Sequence, residues 1–379
     1  MDAMNAAALF EIPAGITYLN CSNMSPQLKS VTAAGLEAVR IKATPWTLTG
    51  ENWFSSAEEL RGLAGKVLGT GADSVAIIPA VSYGMAVAAS NVEIREGDSI
   101  VLLGEDFPSN VYTWREAARK RKARIVTVER DPEAGWTEAV LRAITERTAV
   151  VCVPRCHWMD GTIVDLARVG ERARQAGAAF VIDGSQALGA VPLDIERIQP
   201  DFLVSVGYKW LLGPYGLGYL YASPKWRDHG APIEQSWMPR RGSSDFTSLT
   251  GYCEDFQPGA RRFDAGEFTQ FISAPMCSAG LRQVLDWGVA SIEQSIAKLT
   301  EEIAESALAA GYEVAPAGQR SRHMIGIRFR NGLPAKLGAA LAAARVYVSI
   351  RGNSVRVSPH LYNGTADIDR LFAAIESCA

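Results

Sequence analysis

The chain carries almost no net charge. Over 379 residues, 38 Lys and Arg stand against 41 Asp and Glu, a balance of -3. Such a balance implies neither nucleic acid nor an anionic membrane surface as a partner. No uninterrupted apolar run is long enough to span a bilayer. No basic residue precedes Lys29, so the positive flank of a signal peptide is lacking and a cytoplasmic location is expected. The six cysteines (Cys21, Cys152, Cys156, Cys253, Cys277 and Cys378) are scattered. Most sit among apolar neighbours, which reads as reduced thiols and not as a disulfide framework. Cys152 and Cys156 are spaced like half a metal site, but no second His or Cys pair follows. Buried strand thiols are the simpler reading, and no metal is expected. The sequence also has neither an internal repeat nor a low-complexity linker.

What is present can bury a substantial core. Hydrophobic residues make up 48% and charged residues 21%, over a length that suits two domains or one large domain with a smaller partner. From about residue 54 a pattern alternates. "SVAIIP" (74–79), "SIVLLG" (99–104), "RIVTVE" (124–129), "AVVCVP" (149–154), "AAFVID" (178–183) and "DFLVSVG" (201–207) read as strands. Helical patterns fall between them at 54–69, 83–92, 108–122, 136–146 and 165–176, with Ser55 or Ser56 as cap of the first. Continuous Val, Ile and Leu runs separated by helices predict a mostly parallel sheet covered on both faces. Ligands of such sheets bind at the carboxyl ends of strands, where Ser82, Phe107 and Asp183 sit.

The texture changes after about residue 280. One long amphipathic helix is predicted over 281–311, then strands at 324–329, 346–350 and 354–359, a helix at 334–344 and a last helix from Asp367. The expected organisation is an N-terminal arm (1–20) packing with the small domain, a large α/β domain (21–280) and a small α+β domain (281–379). Residues 237–262 form a long polar loop, of the kind that is often functional.

The carboxyl ends of two core strands carry opposite charges. "FVID" ends on Asp183, and "FLVSVGYKW" runs into Lys209 with Leu211 and Leu212 just beyond. A buried ammonium must be paired, depressed in pKa or covalently modified. A lysine that snorkels to the surface is the ordinary alternative. An aspartate and a lysine together are the two-point hold that pyridoxal phosphate needs, a carboxylate for the ring nitrogen and an amine for the aldehyde. Ser82 and the amides of Val81, Ser82 and Tyr83 open a helix, where unpaired N–H groups suit a phosphate. Ser82 could equally be an N-cap.

The pair "VIDGSQALG…P" and "PDFLVSVGYKWLLGPYGLG" resembles the class V aminotransferase group of fold-type I pyridoxal-phosphate enzymes. That group includes cysteine desulfurases, selenocysteine lyases, isopenicillin N epimerase and kynureninase. The likeness runs from "TYLNCSNMSP" (17–26) to "VRVSPHLYNGTADIDRL" (355–371). It implies a three-layer α/β sandwich with a mostly parallel central sheet plus a small α+β domain, binding pyridoxal 5'-phosphate. By the same resemblance Lys209 is the Schiff-base lysine, Asp183 the pyridinium partner, and Gln186 a donor to the ring hydroxyl. Tyr208 and Ser82 correspond to phosphate contacts, with the Val81 amide beside them. Phe107, in "EDFPSNVY", corresponds to the ring-stacking Phe of kynureninase, and Arg356 to the arginine that takes the substrate's α-carboxylate. Read alone, Phe107 is a core aromatic and Arg356 a strand residue facing solvent.

Three departures accompany the resemblance. The loop "SIRGNSV" before Arg356 has no cysteine, so persulfide chemistry is not expected. The family's R-F-E-A-G-T appears as "RFDAGEF", with Glu267 where a Thr reaches the neighbouring subunit's phosphate; Thr269 or a backbone amide is the candidate for that contact. "CHWMDGT" stands where desulfurases carry Asn, so His157 and Trp158 are candidates to face the substrate, His157 as an acid or base or simply as a packed ring. Asn23, Trp46 and Trp53 are further candidate pocket residues. The implied activity is amino-acid transamination, with a lyase or epimerase as the alternative and a cofactor-binding module without activity as the third. A homodimer with residues 240–272 near its interface is expected.

Overall fold

Seven strands of the large region form one sheet in the computed structural model, which describes residues 6–378. After a short β1 (Thr17–Tyr18) they run β2 (Val75–Ile78), β3 (Ser99–Leu103), β4 (Arg124–Val128), β5 (Thr148–Pro154), β6 (Ala179–Asp183), β7 (Phe202–Val206) and β8 (Gly218–Ala222). Their order across the sheet is β2-β8-β7-β6-β5-β3-β4, and β8 alone runs against its neighbours. Alternate residues of each strand point to opposite faces. On β3 and β5, Val101, Leu103, Val151 and Val153 join one buried cluster, while Ile100, Leu102, Val150 and Cys152 join another. That two-sided burial is why the strands read as unbroken apolar runs. Helices Gly50–Val67, Gly135–Ala143, Leu166–Gln175 and Ser273–Trp287 cover the first face; Val81–Asn91 and Pro108–Arg121 cover the second.

The C-terminal region builds its own cluster around Ile303, Ile325, Ile327, Val355, Val357, Leu371 and Ile375. Its strands are β9 (Ile325–Arg328), β10 (Val346–Tyr347), β11 (Ser349–Arg351) and β12 (Ser354–Val357), with β11-β12-β9 antiparallel. β1 pairs in parallel with β10, and the Thr17 hydroxyl donates to Asp367. Cys21 N donates to Ser358 O, and the Ser22 and Ser358 hydroxyls lie 2.7 Å apart. Residues 1–5 of the predicted N-terminal arm lie outside the described residues.

Some expected elements differ. The single helix over 281–311 is two, Ser273–Trp287 and Val289–Ala309, broken at Gly288 with φ 75°. The first half packs on the large sheet's cluster and the second on the small region's. The helix placed at 54–69 begins at Gly50 and is capped by Thr49, not by Ser55 or Ser56; Asn52 completes the reciprocal hydrogen bonds. The strand read at 346–350 is two, β10 and β11, in different sheets.

Candidate active site

The ends of β2, β3, β5, β6 and β7 reach one edge of the sheet, and the loops beyond them wall a cavity of about 200 Å³. Val81, Ser82, Phe107, Trp158, Asp183, Gln186, Tyr208 and Lys209 all line it. Larger surface clefts, of about 470 and 830 Å³, bring no buried amine to a buried acid.

Lys209 is 8% exposed, and its ammonium has no hydrogen-bond or ion-pair partner among the described residues. Its Nζ lies 5.6 Å from the centroid of the Phe107 ring and 5.9 Å from that of Tyr208. Burial pushes the amine down to about 8; the Asp183 carboxylate opposes the shift and the Arg356 guanidinium adds to it. Asp183 is buried at the end of β6, and its Oδ1 accepts from Ser185 N at 2.9 Å. The following turn is tight because Gly189 has φ 89°, and a Cβ there would lie 2.6 Å from Trp210 O. The lack of a Cβ lets the turn after Asp183 lie close against the turn that carries Lys209, and Trp210 Nε1 donates to Gln186 Oε1 across them at 3.0 Å.

The helix Val81–Asn91 starts at the cavity without a side-chain cap. Its N-cap is Ala80, so Ser82 is a first-turn residue and not the cap. The helix Pro108–Arg121 also starts there uncapped, from Phe107. Uncapped N-termini leave backbone N–H groups free for an anion. The Ser185 Oγ is buried without a partner. A free amine, a facing carboxylate, an aromatic ring and an uncapped helix start make a donor set that fits pyridoxal phosphate.

Residues that sequence reasoning passed over also line the cavity: Asp106, Ser109, Cys156, Ser185 and Tyr215. Asp106 is buried; it accepts from Phe107 N and from Asn110 Nδ2, both at 2.7 Å. Burial and the neighbouring Asp183 charge push its carboxyl up to about 7. The sole sequence signal was its place just past a strand end, two residues before the helix that Pro108 opens. Cys156 is buried, and burial pushes its thiol up to about 12.

Other candidates stand elsewhere. His157 does not line the cavity: its Nε2 lies 3.1 Å from Gly104 O and its ring stacks on Trp136 at 5.2 Å, which is the packed-ring alternative. Burial lowers its pKa. Asn23 is exposed and off the cavity wall, Trp46 is 79% exposed, and Trp53 packs edge-on against Phe246 and Phe271. Gln186 lines the cavity, but its amide already donates to Ser22 O and accepts from Trp210 Nε1. Thr269 is buried away from the cavity, and Glu267 is exposed with φ 58°. Arg356 is not a solvent-facing strand residue: it is 1% exposed, with Nη1 donating to Trp158 O at 2.6 Å and Nη2 to Ser349 Oγ at 3.2 Å. Burial, and then the nearby Arg351 charge, lower it to about 10. Ser25 binds the Tyr208 carbonyl through its N–H and hydroxyl, which ties the N-terminal segment to the turn before Lys209.

A family model described as aminotransferase class-V matches residues 49–371. Among curated relatives, the uncharacterized aminotransferase YcbU of Bacillus subtilis is 26% identical over 318 residues, covering 83% of this chain and 82% of that protein. Isopenicillin N epimerase of Streptomyces clavuligerus is 29% identical over 197 residues, 50% of this chain and 49% of that one. Among solved structures, the apo cysteine desulfurase of Thermococcus onnurineus NA1 superposes with a TM-score of 0.85 at 20% identity, over 100% of this chain and 98% of that chain. The fold is therefore the three-layer α/β fold of that enzyme, with the large mostly parallel sheet and small antiparallel sheet described above.

Proposed function

Because the chain belongs to the class V aminotransferase family of pyridoxal-phosphate enzymes, we propose that it acts at the Cα of an amino acid by transamination, with Lys209 as the catalytic amine. When bound, pyridoxal phosphate supplies an aldehyde for that amine and a ring that draws electron density from the substrate's Cα. The uncapped start of Val81–Asn91, with Ser82, would hold the phosphate, and Tyr208 would flank it. Asp183 would keep a proton on the ring nitrogen, and Phe107 would cover one ring face. Arg356 would take the substrate's α-carboxylate through two parallel hydrogen bonds. Lys209 Nζ, lowered to about 8, exists partly as free amine near neutral pH and could take the proton from Cα and deliver it to the carbon that began as the aldehyde.

The observation that carries the reading is the partnerless buried ammonium of Lys209 in one cavity with Asp183. Phe107 and Tyr208 in the same cavity favour a second reading, a lyase of the kynureninase kind that needs no amino acceptor. Desulfurase chemistry needs a mobile thiolate. Against it, the β11–β12 hairpin has no cysteine, Cys277 is buried in the large cluster, and Cys156 is a buried thiol held at about 12. We also propose a homodimer, because Phe246, Tyr252 and Ile272, all within or at the end of residues 240–272, are large apolar side chains left exposed. The small domain is proposed to begin at the Gly288 break.

The test is to load the protein with pyridoxal phosphate, reduce with borohydride and map the label. Labelling of Lys209, a spectral change on adding an amino donor, and its reversal by a keto acid are expected. Release of a product without any keto acid would favour the lyase. No label at Lys209 would refute both readings.

A further inference from the structure

Two arginines stand behind Trp158, outside the wall of the Lys209 cavity, with no acidic partner among the described residues; Arg351 lines the adjoining cleft. In the antiparallel hairpin, Ser349 pairs with Arg356 and Arg351 with Ser354, so both arginines belong to one face and are diagonal neighbours. Diagonal neighbours sit about 7–8 Å apart along a sheet. Both guanidinium groups meet the same residue, Trp158, which walls the Lys209 cavity. Arg356 donates to its carbonyl, and the Arg351 Cζ lies 5.3 Å from its ring centroid. The Nε of each arginine is buried with no partner.

Two other arginines of the adjoining 830 Å³ cleft show a contrast in ion pairing, while a third, Arg328, is exposed and unpaired among the described residues. Arg330 pairs with Glu313 at 2.7 Å, and Arg130 faces Asp160 at 3.9 Å. Asp160 is further engaged by the hydroxyl and N–H of Thr162. Glu105 and Glu129 line the same cleft, but no ion pair joins either to Arg351 or Arg356 among the described residues. Arg351 otherwise donates only to the carbonyl of its neighbour Ile350. Arg356 is buried without an anion, which is costly, and the half-buried Arg351 beside it adds a second positive charge. A single substrate carboxylate would neutralise one of the pair.

We propose that the substrate is a dicarboxylic amino acid, with Arg356 receiving its α-carboxylate and Arg351 its side-chain carboxylate. This rests on the reading of Lys209 and Arg356 given above and adds a substrate class to it. The hairpin loop "SIRGNSV" thereby supplies a specificity residue from two positions beyond Ser349.

The test separates the two claims by using ligands that cannot react. Calorimetry would compare succinate and glutarate with butyrate and valerate, on the protein with and without pyridoxal phosphate. The diacids should bind about 10-fold to 100-fold more tightly, the range that one charge-assisted hydrogen-bonded contact provides. Arg351→Gln should erase that preference while leaving the monoacids unchanged. With amino donors, aspartate or glutamate should drive the spectral change at lower concentration than asparagine or glutamine, and R351Q should abolish the difference. Equal binding of diacids and monoacids to the wild-type protein overturns the proposal, even if R351Q cannot be made. So does a preference that survives R351Q. Turnover of neutral and acidic donors alike would sink the Arg351 assignment and leave the Lys209 reading standing. A diacid preference with no spectral response to any amino acid would do the reverse.

Discussion

Replacing Asp264 with alanine would strand a cation beside the large sheet. Arg61 and Asp264 both have side chains with 0% exposure and meet in a two-pronged pair, Nη1 to Oδ1 at 3.0 Å and Nη2 to Oδ2 at 2.8 Å. The same Oδ1 accepts from Ile77 N at 2.7 Å, so the carboxylate also serves strand β2. Arg61 keeps two other partners, the Val75 carbonyl at 2.7 Å and Glu58 at 3.0 Å. Breaking a buried pair on one side costs about 3–5 kcal/mol. A buried N–H left unsatisfied adds about 1–3 kcal/mol. Glu58 offsets part of this, so about 4 kcal/mol is expected for D264A. Urea denaturation followed by tryptophan fluorescence would read it as a lower midpoint. Removing both charges together, as R61M with D264L, should recover most of the loss, because matched apolar replacements of buried pairs are often neutral. The site should respond as well. Ala265 N donates to Ile77 O, and β2 leads directly into Ala80 and Val81 at the cavity. Affinity for pyridoxal phosphate should therefore fall in D264A and return in the double variant. A midpoint shift worth under about 1 kcal/mol would show that the pair is not desolvated as described.

Two further outcomes concern pH. His323 and His360 are fully buried, and burial lowers them to about 4 and about 3. Unfolded histidine titrates near 6.5, so the unfolded chain binds more protons between about 6.5 and 4. Stability should be level above about pH 7 and fall as the pH drops through that window, by up to about 1.4 kcal/mol per pH unit for each ring. His360→Phe should flatten the profile, since neither ring nitrogen has a partner and Phe10, Trp210, Trp287 and Tyr362 surround the ring; an unchanged slope in melting temperature against pH would contradict this. Asp106 has the opposite sense. With its carboxyl raised to about 7 in the fold, the protein without cofactor should lose stability as pH rises from about 4 to 7, and Asp106→Asn should remove that loss, as thermal melts at pH 5 and pH 8 would show.

How much of this was visible in the chain depends on whether the relevant contacts are local. Lys209 and Asp183 were legible because each ends an apolar run on a charge, an anomaly that needs no partner to be noticed. The parallel sheet was legible for the same kind of reason. Strand order was not, because β2 pairs with β8 across more than a hundred residues, and β8 was never separated from the Gly-rich turn before it. The Thr49 cap was missed because its partner at the third position is Asn52, where a Glu or Gln is the usual signal. Asp106 gave only its place past a strand end, and Ser185 gave no pattern at all; they are single polar residues whose meaning comes from what the fold places around them. For His157 the sequence left an acid or base and a packed ring open alike, because what decides between them, Gly104 and Trp136 holding the ring, is distant in sequence.

Residues 20–25 act as a stitch between two bodies. Through Cys21 and Ser22 the stretch is fastened to Ser358, and through Ser25 to the turn that bears the amine. A thread so short cannot stretch, so any closing of the small sheet over its substrate has to pivot about this seam instead of sliding along it. Arg356 lies two places from that fulcrum. The strand that carries its guanidinium is thus anchored, through Ser358, to the opposite end of the polypeptide.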